Sequence, residues 1–426
     1  MRWLRLFLTY PLFLLAFPLL LVHPKLRAGQ RQRFGFHPHI ADRAHQDLRI
    51  WLHGASAGDV LAIQPTAAAL RALHPHATLI ATSVTNSGRA ILDLHASLFD
   101  HVGFIPWDLP GSVSRTLDRL RPDAIVLEYA ELWPELLLEA KRRNIKVVLQ
   151  NGRFAGARLD RYRDMFKVTG NLLSFLDLLL MRDATEEQRA LELGAAPNRV
   201  HVTGNTKLDH QTRQPDPAAL KVMHEALGLD PDRPLLVAGS THEGEEEALF
   251  GVFHELLETS PELKLIVAPR YIERAERLLQ QAHRQQLTAR LRTEPPSDTQ
   301  VVILDTIGEL ATVYSCATLV FVGGSLVDRG GHNIIEPAQF GCPVLFGPHM
   351  GNVEDSVQLL LGRGGIQVSN APQLAKVLGD LLNKPQERTE LGILAQQQVE
   401  QARGAATRNA EFISEAIKRG QTQATT

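Results

Sequence analysis

Short apolar runs alternate with helical patterns over most of the chain. Between the runs, segments such as Asp59–Leu73 and Ala130–Lys141 carry apolar residues three or four positions apart, which is typical of amphipathic helices. This alternation predicts parallel sheets with helices on both faces. The predicted strands are Leu48–Leu52, Thr78–Thr82, Val102–Ile105, Ala124–Leu127, Lys146–Leu149, Leu178–Leu180, Val200–Val202, Leu235–Ala238, Lys264–Ala268, Val301–Leu304, Leu319–Val322 and Val344–Phe346.

A polar stretch divides this alternation into two halves. The string "HQTRQPDPAALK" is rich in Pro, Gln and Asp and indicates a linker, placed at 210–233. We therefore expect two α/β domains, 29–209 and 234–418, the second including C-terminal helices, with a cleft between them. Ligands of open parallel sheets lie beyond the C-terminal ends of the strands, so the strand exits should face this cleft.

The N-terminal segment 1–28 is predicted to be a membrane anchor. Leu6 to Val22 carries no charge and spans roughly 25 Å as a helix, against a hydrocarbon core of ~30 Å. A cleaved signal peptide is the alternative, but no small-x-small site follows Val22 and the next stretch, "HPKLRAGQRQR", is basic. These basic residues place the main body in the cytoplasm by the positive-inside rule, whether the segment spans the bilayer or lies in one leaflet.

Composition removes several classes of protein. Apolar residues make up 44% of 426, enough for a large core, and the net charge of −2 argues against a nucleic-acid binder. Two cysteines, Cys316 and Cys342, do not suffice for a disulfide framework or a four-thiolate zinc site. No GxGxxG follows the first strand of either half, and no GxxxxGK[ST] occurs, which disfavours nicotinamide and P-loop nucleotide binding.

Ionisable residues follow the strands of the first half. Asp59 opens a helix after "LHGASAG", where it is either a functional acid or a complement to the helix dipole. Glu128 and Glu131 follow a buried strand and are candidate acids, bases or charge stabilisers. Lys207, at the strand exit nearest the linker, could hold an anion, although a solvated surface lysine is the commoner case.

The second half repeats the arrangement. Ser240 and Thr241 offer amides and hydroxyls after one strand, and Arg270 follows the next strand, where a guanidinium suits a phosphate. Gly308, Glu309 and Leu310 occupy another strand-to-helix turn. The acidic run 245–247 is expected to complement a helix dipole.

A glycine-rich connection, "VGGSLVDRGGHNIIEPAQFGCPVLFGP", lies between the last two predicted strands. Its glycines expose backbone amides, and a helix beginning near Asn333 to Glu336 would form an anion cradle in which an acid can take two ribose hydroxyls. His332 alone does not make a metal site, and a structural hydrogen bond is the favoured role. Together these turns predict a nucleotide-linked donor in the C-terminal half.

Seven strings together resemble one family. "HGASAGD", "AELWP", "NGRF", "GNTKLD", "GSTHEGEE", "PRYIER" and "GGSLVDRGGHNIIEPA" are similar, in order and spacing, to the motifs of the 3-deoxy-D-manno-octulosonic acid (Kdo) transferases. The resemblance implies a GT-B fold, two Rossmann-like domains with the acceptor in the first and CMP in the second. It also implies inverting transfer of Kdo from CMP-Kdo to a lipid A precursor, without metal or other cofactor, on an anionic membrane at the cytoplasmic face of the inner membrane.

The resemblance also implies roles for individual residues. Asp59 occupies the position of the family's general base, which is a Glu, and Lys207 matches one charge stabiliser. The other stabiliser is the first Glu of an "ExExWP" string; that position is Tyr129 here, with Glu128 one residue earlier and Glu131 matching the second Glu. The implied CMP contacts are Pro269, Arg270, Gly308, Glu309, Leu310, Asn333, Ile334, Ile335 and Glu336. The implied donor-site loops contribute Ser240, Thr241, Gly323, Gly324, Ser325 and His332.

Asp59 and Tyr129 depart from the family pattern at the chemistry. Asp is one methylene shorter than Glu, and Tyr129 supplies no carboxylate. Glu128 could replace it only if the strand end is distorted, because adjacent residues of a strand face opposite sides. Three hypotheses follow: a divergent Kdo transferase, a related GT-B transferase for another nucleotide sugar, or a membrane-tethered protein that has lost catalysis.

Overall fold

The computed structural model describes residues 13, 15, 17, 18, 22, 23, 26–40, 47–156, 159–209 and 215–424. The predicted anchor, 1–28, lies largely outside these residues. Within the described ranges, none of the helices combines the length and the apolar character needed to cross a membrane.

The chain forms two compact units. The first comprises Met1–His210 together with Ala402–Thr426, and the second comprises Gln211–Gln401. Each unit is built around one parallel sheet of seven strands, which confirms the predicted α/β class.

The sheet of the first unit has the strand order β3-β2-β1-β4-β5-β6-β7. All seven predicted strands are present, with ends shifted by up to three residues. Apolar clusters cover both faces, since one face buries Trp51 and Leu127 whereas the other buries Leu52 and Val126. The strands are β1 Arg49–His53, β2 Thr78–Ser83, β3 His101–Phe104, β4 Ala124–Glu128, β5 Lys146–Gly152, β6 Leu178–Met181 and β7 Val200–Val202.

Helices connect these strands on both faces. Ala130–Lys141 is shorter than predicted: its helix begins at Pro134, because proline fits the first helical position but not the interior. The helices of this unit are α1 Gln30–Arg33, α2 Ala57–Leu73, α3 Asn86–Leu94, α4 Pro110–Leu120, α5 Pro134–Arg142, α6 Leu159–Thr169, α7 Ala184–Glu192 and, after the second unit, α16 Ala405–Ala424.

The sheet of the second unit has the order β10-β11-β9-β8-β12-β13-β14. Two three-residue strands, β10 and β14, were not predicted, because neither carries an uninterrupted apolar run. The strands are β8 Leu235–Thr241, β9 Lys264–Pro269, β10 Ala289–Leu291, β11 Val301–Ile303, β12 Leu319–Val322, β13 Val344–Phe346 and β14 Gly365–Gln367.

The predicted linker 210–233 contains a helix and is wrong in that part. Asp216 caps the helix Pro217–Leu227 by accepting a hydrogen bond from the Ala218 N–H, and Pro217 stands at its first position. The helices of this unit are α8 Pro217–Leu227, α9 Glu246–Leu257, α10 Ala275–Arg284, α11 Leu310–Tyr314, α12 Ile335–Ala338, α13 Glu354–Leu360, α14 Ala371–Leu382 and α15 Pro385–Ala402.

The last helix belongs to the first unit, contrary to the predicted domain 234–418. Ile413 and Ile417 of α16 are buried in the same apolar cluster as Ile63 of α2. The Asp209 carboxylate accepts the Gly404 N–H at 2.6 Å. This hydrogen bond holds the start of α16 next to the C-terminal end of the segment Met1–His210. The apolar stripe of α16 therefore completes one face of the first sheet.

The basic residues behind the predicted anchor are not all available to lipid. Arg33 is fully buried: its guanidinium donates to the Val84 carbonyl and lies over the rings of Phe104 and Trp107 at 4.6 and 5.1 Å from their centroids. Arg33 therefore fixes the described segment 26–40 on the body of the first unit. Because it is buried, it does not belong to the basic residues that are predicted to face the membrane.

Candidate active site

Glu128 is the central carboxylate at the strand exits of the first sheet. It ends β4, is fully buried, and accepts hydrogen bonds from Gln150 Nε2 at 2.8 Å and Asn151 Nδ2 at 2.6 Å. Burial raises the pKa of Glu128 to about 8, against the two amide donors, which lower it; the charge of Asp59 raises it further and that of Lys207 lowers it. A carboxyl that exchanges its proton near neutral pH thus lies beside two predicted site residues.

An amide and a hydroxyl connect this carboxylate to the neighbouring elements. Asn151 adopts a left-handed φ of 50°, donates to Thr206 Oγ1 at 2.6 Å, and accepts the Thr206 N–H at 2.9 Å. The Thr206 hydroxyl in turn donates to the Ala62 carbonyl of α2 at 2.7 Å. All of these polar side chains are fully buried, so the network fixes β4, β5 and the Lys207 loop relative to α2.

Asp59 caps the start of α2. Its Oδ2 accepts the Ser56 backbone N–H at 2.9 Å and the Ser56 hydroxyl at 2.7 Å, which completes a capping box at the start of α2. Oδ1 accepts no hydrogen bond from the described residues. Capping therefore leaves Oδ1 of Asp59 available to a ligand. Asp59 is half-buried, and its negative charge raises the pKa of both Glu128 and Glu131.

Glu131 is the second carboxyl that this cluster perturbs. It follows β4 by three residues and is half-buried. Burial raises the pKa of Glu131 to about 7, and the negative charge of Asp59 raises it too. Perturbed carboxyls of this kind are typical of sites that transfer protons.

Tyr129 shows that the end of β4 is distorted. Its φ of 56° is left-handed, which is rare for an aromatic residue, and its N–H donates to the Gln150 carbonyl at 3.0 Å. Lys207, which is exposed, places its Nζ 5.0 Å from the centre of the Tyr129 ring. Tyr129 thus contacts the predicted lysine by a cation–π interaction, and Glu128 keeps its carboxylate in the buried network.

His53 is a residue of this region that the sequence analysis missed. It ends β1, is fully buried, and contacts the Thr82 carbonyl through Nδ1 at 3.1 Å, so Nδ1 carries the proton of the neutral ring. Burial lowers the pKa of His53 to about 3, and Nε2 has no hydrogen-bond partner within the described part of the chain. Its position before "GASAGD" is the only signal in the sequence.

In the second unit, a cavity of about 410 Å³ lies at the exits of β8, β9 and β11. Predicted residues in its lining are Ser240, Pro269, Arg270, Gly308 and Leu310. Ser240 adopts a left-handed φ of 56° at a register shift between β8 and β9, and the Arg270 side chain is exposed. The structure therefore brings together the predicted turns after three different strands.

Other lining residues were not predicted. Tyr271 and Ile307 are large and exposed, 54% and 83%, and Thr306 lies between β11 and Ile307. An exposed apolar side chain after a strand was the signal available in the sequence.

The remaining predicted nucleotide contacts lie outside the lining of this cavity. Glu309 pairs with Arg292 at 3.0 Å, and Asn333 is exposed, with its Oδ1 accepting the Ile335 N–H at 3.0 Å. Ile334 and Ile335 are buried core residues. Glu336 is half-buried, and burial raises its pKa. Helix α12 has only four residues, so the predicted anion cradle at its start has little dipole to supply.

Glu245 stands at the N-cap of α9 but does more than complement the dipole of that helix. It is fully buried, and its carboxylate accepts four backbone N–H groups at 2.7–3.0 Å. The donors are His242, Gly324, Ser325 and Leu326. Glu245 therefore anchors the first glycine pair, 79–81 residues away in the chain.

The first glycine pair is required by close packing. A Cβ on Gly323 would lie 2.6 Å from Thr241 Cα, and one on Gly324 would lie 3.0 Å from the His332 ring. His332 makes the expected hydrogen bond, to His242, and the hydroxyl of the buried Ser325 bonds the Val322 carbonyl and the Gly347 N–H. Among the described residues, no group of three or more acidic, His or Cys side chains is arranged to hold a metal ion.

The sequence is similar to known transferases. A family profile described as 3-deoxy-D-manno-octulosonic-acid transferase matches residues 28–210. A protein of Haemophilus influenzae named 3-deoxy-D-manno-octulosonic acid transferase is 31% identical over 97% of this chain and 97% of its own length. A protein of the same name from Chlamydophila psittaci is 31% identical over 86% of this chain and 84% of its own.

The fold is shared with a solved structure of lower similarity. A crystal structure of a glycosyltransferase from Rickettsia africae is 15% identical and matches 88% of this chain and all of that one, with a TM-score of 0.61. This match, with the two parallel sheets, confirms the GT-B fold class.

Proposed function

Since the chain belongs to the Kdo transferase family of glycosyltransferases, we propose that it transfers Kdo from CMP-Kdo to a lipid A precursor, with inversion at the anomeric carbon, in lipopolysaccharide core synthesis. The observation that carries this proposal is the 31% identity over 97% of both chains, which spans both units. The grouping of Asp59, Glu128 and Glu131 at one sheet edge supports it, because carboxylates are needed to activate a sugar hydroxyl.

In the proposed reaction, Asp59 takes the proton from the attacking hydroxyl of the acceptor. That oxygen forms a bond to the anomeric carbon of Kdo while the bond from this carbon to the phosphate oxygen breaks, and CMP leaves with the electron pair. Asp59 Oδ1 is the atom assigned to the proton, because Oδ2 is occupied by Ser56. Glu128, Glu131 and Lys207 are assigned to stabilising charge around the reacting centre.

The cavity after β8, β9 and β11 is the proposed CMP site. Arg270 supplies the positive charge for the phosphate, while Pro269, Gly308 and Leu310 form part of the wall. Asn333 and Glu336 are proposed to contact the nucleotide from the neighbouring turn; Ile334 and Ile335 can contribute only backbone groups, since their side chains are buried.

We place the protein on the cytoplasmic face of the inner membrane, held by 1–28. The uncharged run from Leu6 to Val22 and the basic residues behind it, other than Arg33, support this placement. Flotation with vesicles containing anionic lipid should recover the full chain and lose a variant that lacks residues 1–22; equal recovery of both would remove the anchor.

The defining experiment is an assay of the purified full chain with CMP-Kdo and a lipid A precursor, read by mass spectrometry. We expect a product carrying added Kdo and an equal amount of released CMP. Released CMP without a sugar adduct would show hydrolysis of the donor and contradict the proposal.

A second candidate function is a GT-B transferase for another nucleotide sugar. The observation that favours it is Tyr129, which replaces a family carboxylate and contacts Lys207 instead. If the parent protein and its Tyr129→Glu variant both fail to use CMP-Kdo while CMP still binds, this candidate or an inactive protein replaces the first proposal.

A further inference from the structure

Two histidines of the second unit, 90 residues apart in the chain, meet through their ring nitrogens. His242 Nε2 lies 2.8 Å from His332 Nε2, in ring planes only 4° apart with centroids separated by 5.1 Å. This is hydrogen-bond distance, so one Nε2 carries a proton and the other accepts it. The two rings therefore share a single proton between them.

This arrangement fixes the tautomers of the neutral pair. The ring that donates from Nε2 has a bare Nδ1, and the ring that accepts at Nε2 carries its proton on Nδ1. One further proton adds to the bare Nδ1 and leaves the bond between the rings intact. The singly protonated pair then carries one positive charge and an Nδ1–H on each ring; these two groups point away from each other, so a carboxylate is bound by one of them. Neither Nδ1 is hydrogen-bonded to any of the described residues.

The surrounding backbone is built to hold the pair. Gly324 has a φ of 67°, and a Cβ there would lie 3.0 Å from the His332 ring and 3.3 Å from the His242 ring. Glu245 binds the backbone N–H of both His242 and Gly324. Gly331 precedes His332 at a φ of 71°, and a Cβ there would lie 2.3 Å from Met350 Sδ. Gly324, Gly331 and Glu245 thus together fix the backbone that carries the two imidazoles.

The pair borders the proposed donor cavity. The His242 ring contacts the Tyr271 ring edge-on, with centroids 5.8 Å apart, and Tyr271 lines the cavity beside Arg270. The charge of Arg270 also reaches His332, since it lowers the pKa of that ring, after the larger effects of burial and of His242. The imidazole pair therefore lies behind Tyr271, next to the cavity that Arg270 lines.

We propose that the His242–His332 pair binds the carboxylate of the donor sugar and takes up one proton as it does so. The inference rests on the proposed function, because Kdo is an acid and its carboxylate is attached to the anomeric carbon, next to the phosphate that Arg270 is assigned to hold. A nucleotide linked to a neutral sugar offers no such group, so the pair selects the class of donor. The phosphate of CMP is the other anion that could occupy the pair.

The proposal has a definite pH dependence. Burial lowers the pKa of both rings, so the free pair is neutral at pH 7. At His242, Glu245 and Glu246 raise the pKa, whereas Arg329 and Arg274 lower it. At His332, His242 and Arg270 lower the pKa, whereas Glu245 raises it. A bound carboxylate raises the pKa of the pair. Donor affinity is therefore highest at low pH and is lost as pH rises through the pKa of the bound pair, by at most about tenfold per pH unit for one proton.

The test compares the donor with CMP. His332→Gln and His242→Gln should each raise KM for CMP-Kdo by about 10- to 150-fold, the loss expected for a charge-assisted hydrogen bond. Both should leave the calorimetric Kd for CMP unchanged and should flatten the pH profile of KM. His254→Gln, an exposed histidine on α9, is the matched control and should change neither quantity. The double variant should be little worse than either single one, because the pair acts as a unit.

Other results overturn the inference. If the variants lose affinity for CMP to the same extent, the pair binds the phosphate. If KM for CMP-Kdo and its pH profile are unchanged, the pair has only a structural role. Imidazole nitrogen spectra of the full chain separate this question from turnover. CMP-Kdo, but not CMP, should convert the bare Nδ1 to Nδ1–H. If the parent protein binds CMP-Kdo without transferring sugar, the proposed function fails while this spectrum still decides the role of the pair.

Discussion

Glu128 and Glu245 are both fully buried glutamates near strand exits, one in each unit, yet their partners differ in kind. Four backbone N–H groups converge on Glu245, three of them from the consecutive residues Gly324, Ser325 and Leu326. Glu128 receives two side-chain amides and lies within reach of the charges of Asp59 and Lys207. Several backbone N–H donors, as at Glu245, hold a carboxylate in its ionised form and fix the conformation of a turn. A buried carboxyl with side-chain donors and a like charge nearby, as at Glu128, can gain and lose a proton. The comparison assigns Glu245 to structure and the Glu128 region to chemistry.

The largest effect should come from the region assigned to chemistry. Asp59→Asn should lower turnover by about 10²–10⁴, the usual worth of a general base, and leave CMP affinity intact. Turnover with CMP-Kdo and the acceptor, together with calorimetry of CMP, measures both. Asp59→Glu should sustain or raise activity, because Glu is the residue that the family resemblance implies at this position.

Ser56→Ala is the control for the capping role of Asp59. It removes one hydrogen bond to Oδ2 but keeps the carboxylate, so it should cost only about 0.5–2 kcal/mol of unfolding free energy. If Asp59→Asn turns over at the parent rate, Asp59 is only a cap and Glu131 becomes the next candidate for the base.

Glu245→Gln should damage stability rather than chemistry. The amide cannot accept two of the four N–H groups, and hydrogen bonds to a charged group are worth about 1.5–3 kcal/mol each, so we expect a loss of roughly 3 kcal/mol or more in unfolding free energy. All four tryptophans precede residue 211, so tryptophan fluorescence follows the first unit and far-UV circular dichroism includes both. The dichroism transition should shift without the fluorescence transition.

Glu247→Gln is the matched control, because Glu247 is exposed in the same helix turn. It should cost about 0.3–1 kcal/mol, the value of a dipole complement. If the two variants lose the same unfolding free energy, Glu245 is only a dipole complement and does not differ from Glu128 in the way described above.

Arg270→Ala should weaken CMP binding by about 1.5–3 kcal/mol, because a charge-assisted contact to phosphate is lost. Calorimetry on the folded variant measures this. Arg277→Ala, which removes an exposed arginine paired with Glu243 in the same unit, should leave CMP affinity unchanged. Unchanged affinity in Arg270→Ala would remove that residue from the donor site.

The smallest effect is a pH slope. Because the pKa of Glu128 is raised on folding, from 4.5 to about 8, the native state binds more protons than the unfolded state between these values. The unfolding free energy should therefore fall as pH rises through this window, by no more than about 1.4 kcal/mol per pH unit for one group. Tryptophan-monitored unfolding of Glu128→Gln at pH 6.5–7.5 should show a shallower slope than the parent. An identical slope would show that Glu128 is already ionised.

The pattern of apolar residues determined the architecture. Leu319–Val322 and Val344–Phe346 are strands with the predicted ends, because buried parallel strands are continuous apolar runs that stand out between polar turns. Edge strands such as β10 and β14 are short and lack this signal. The positions of Asp59, Lys207 and Arg270 after strands followed from the same pattern, since polar residues at strand exits need no tertiary information to be located.

Only the tertiary structure decided which of these polar residues act together. Glu245 and its three amide donors in the glycine turn are 79–81 residues apart, and the two histidines are 90 apart, so no local periodicity connects them. Tertiary packing likewise determines three further features. They are the left-handed backbone of Tyr129, the packing of α16 against the first sheet and the burial of Arg33. Sequence determines the elements through local period and propensity, whereas burial and proton affinity depend on neighbours that the chain brings together only when it folds.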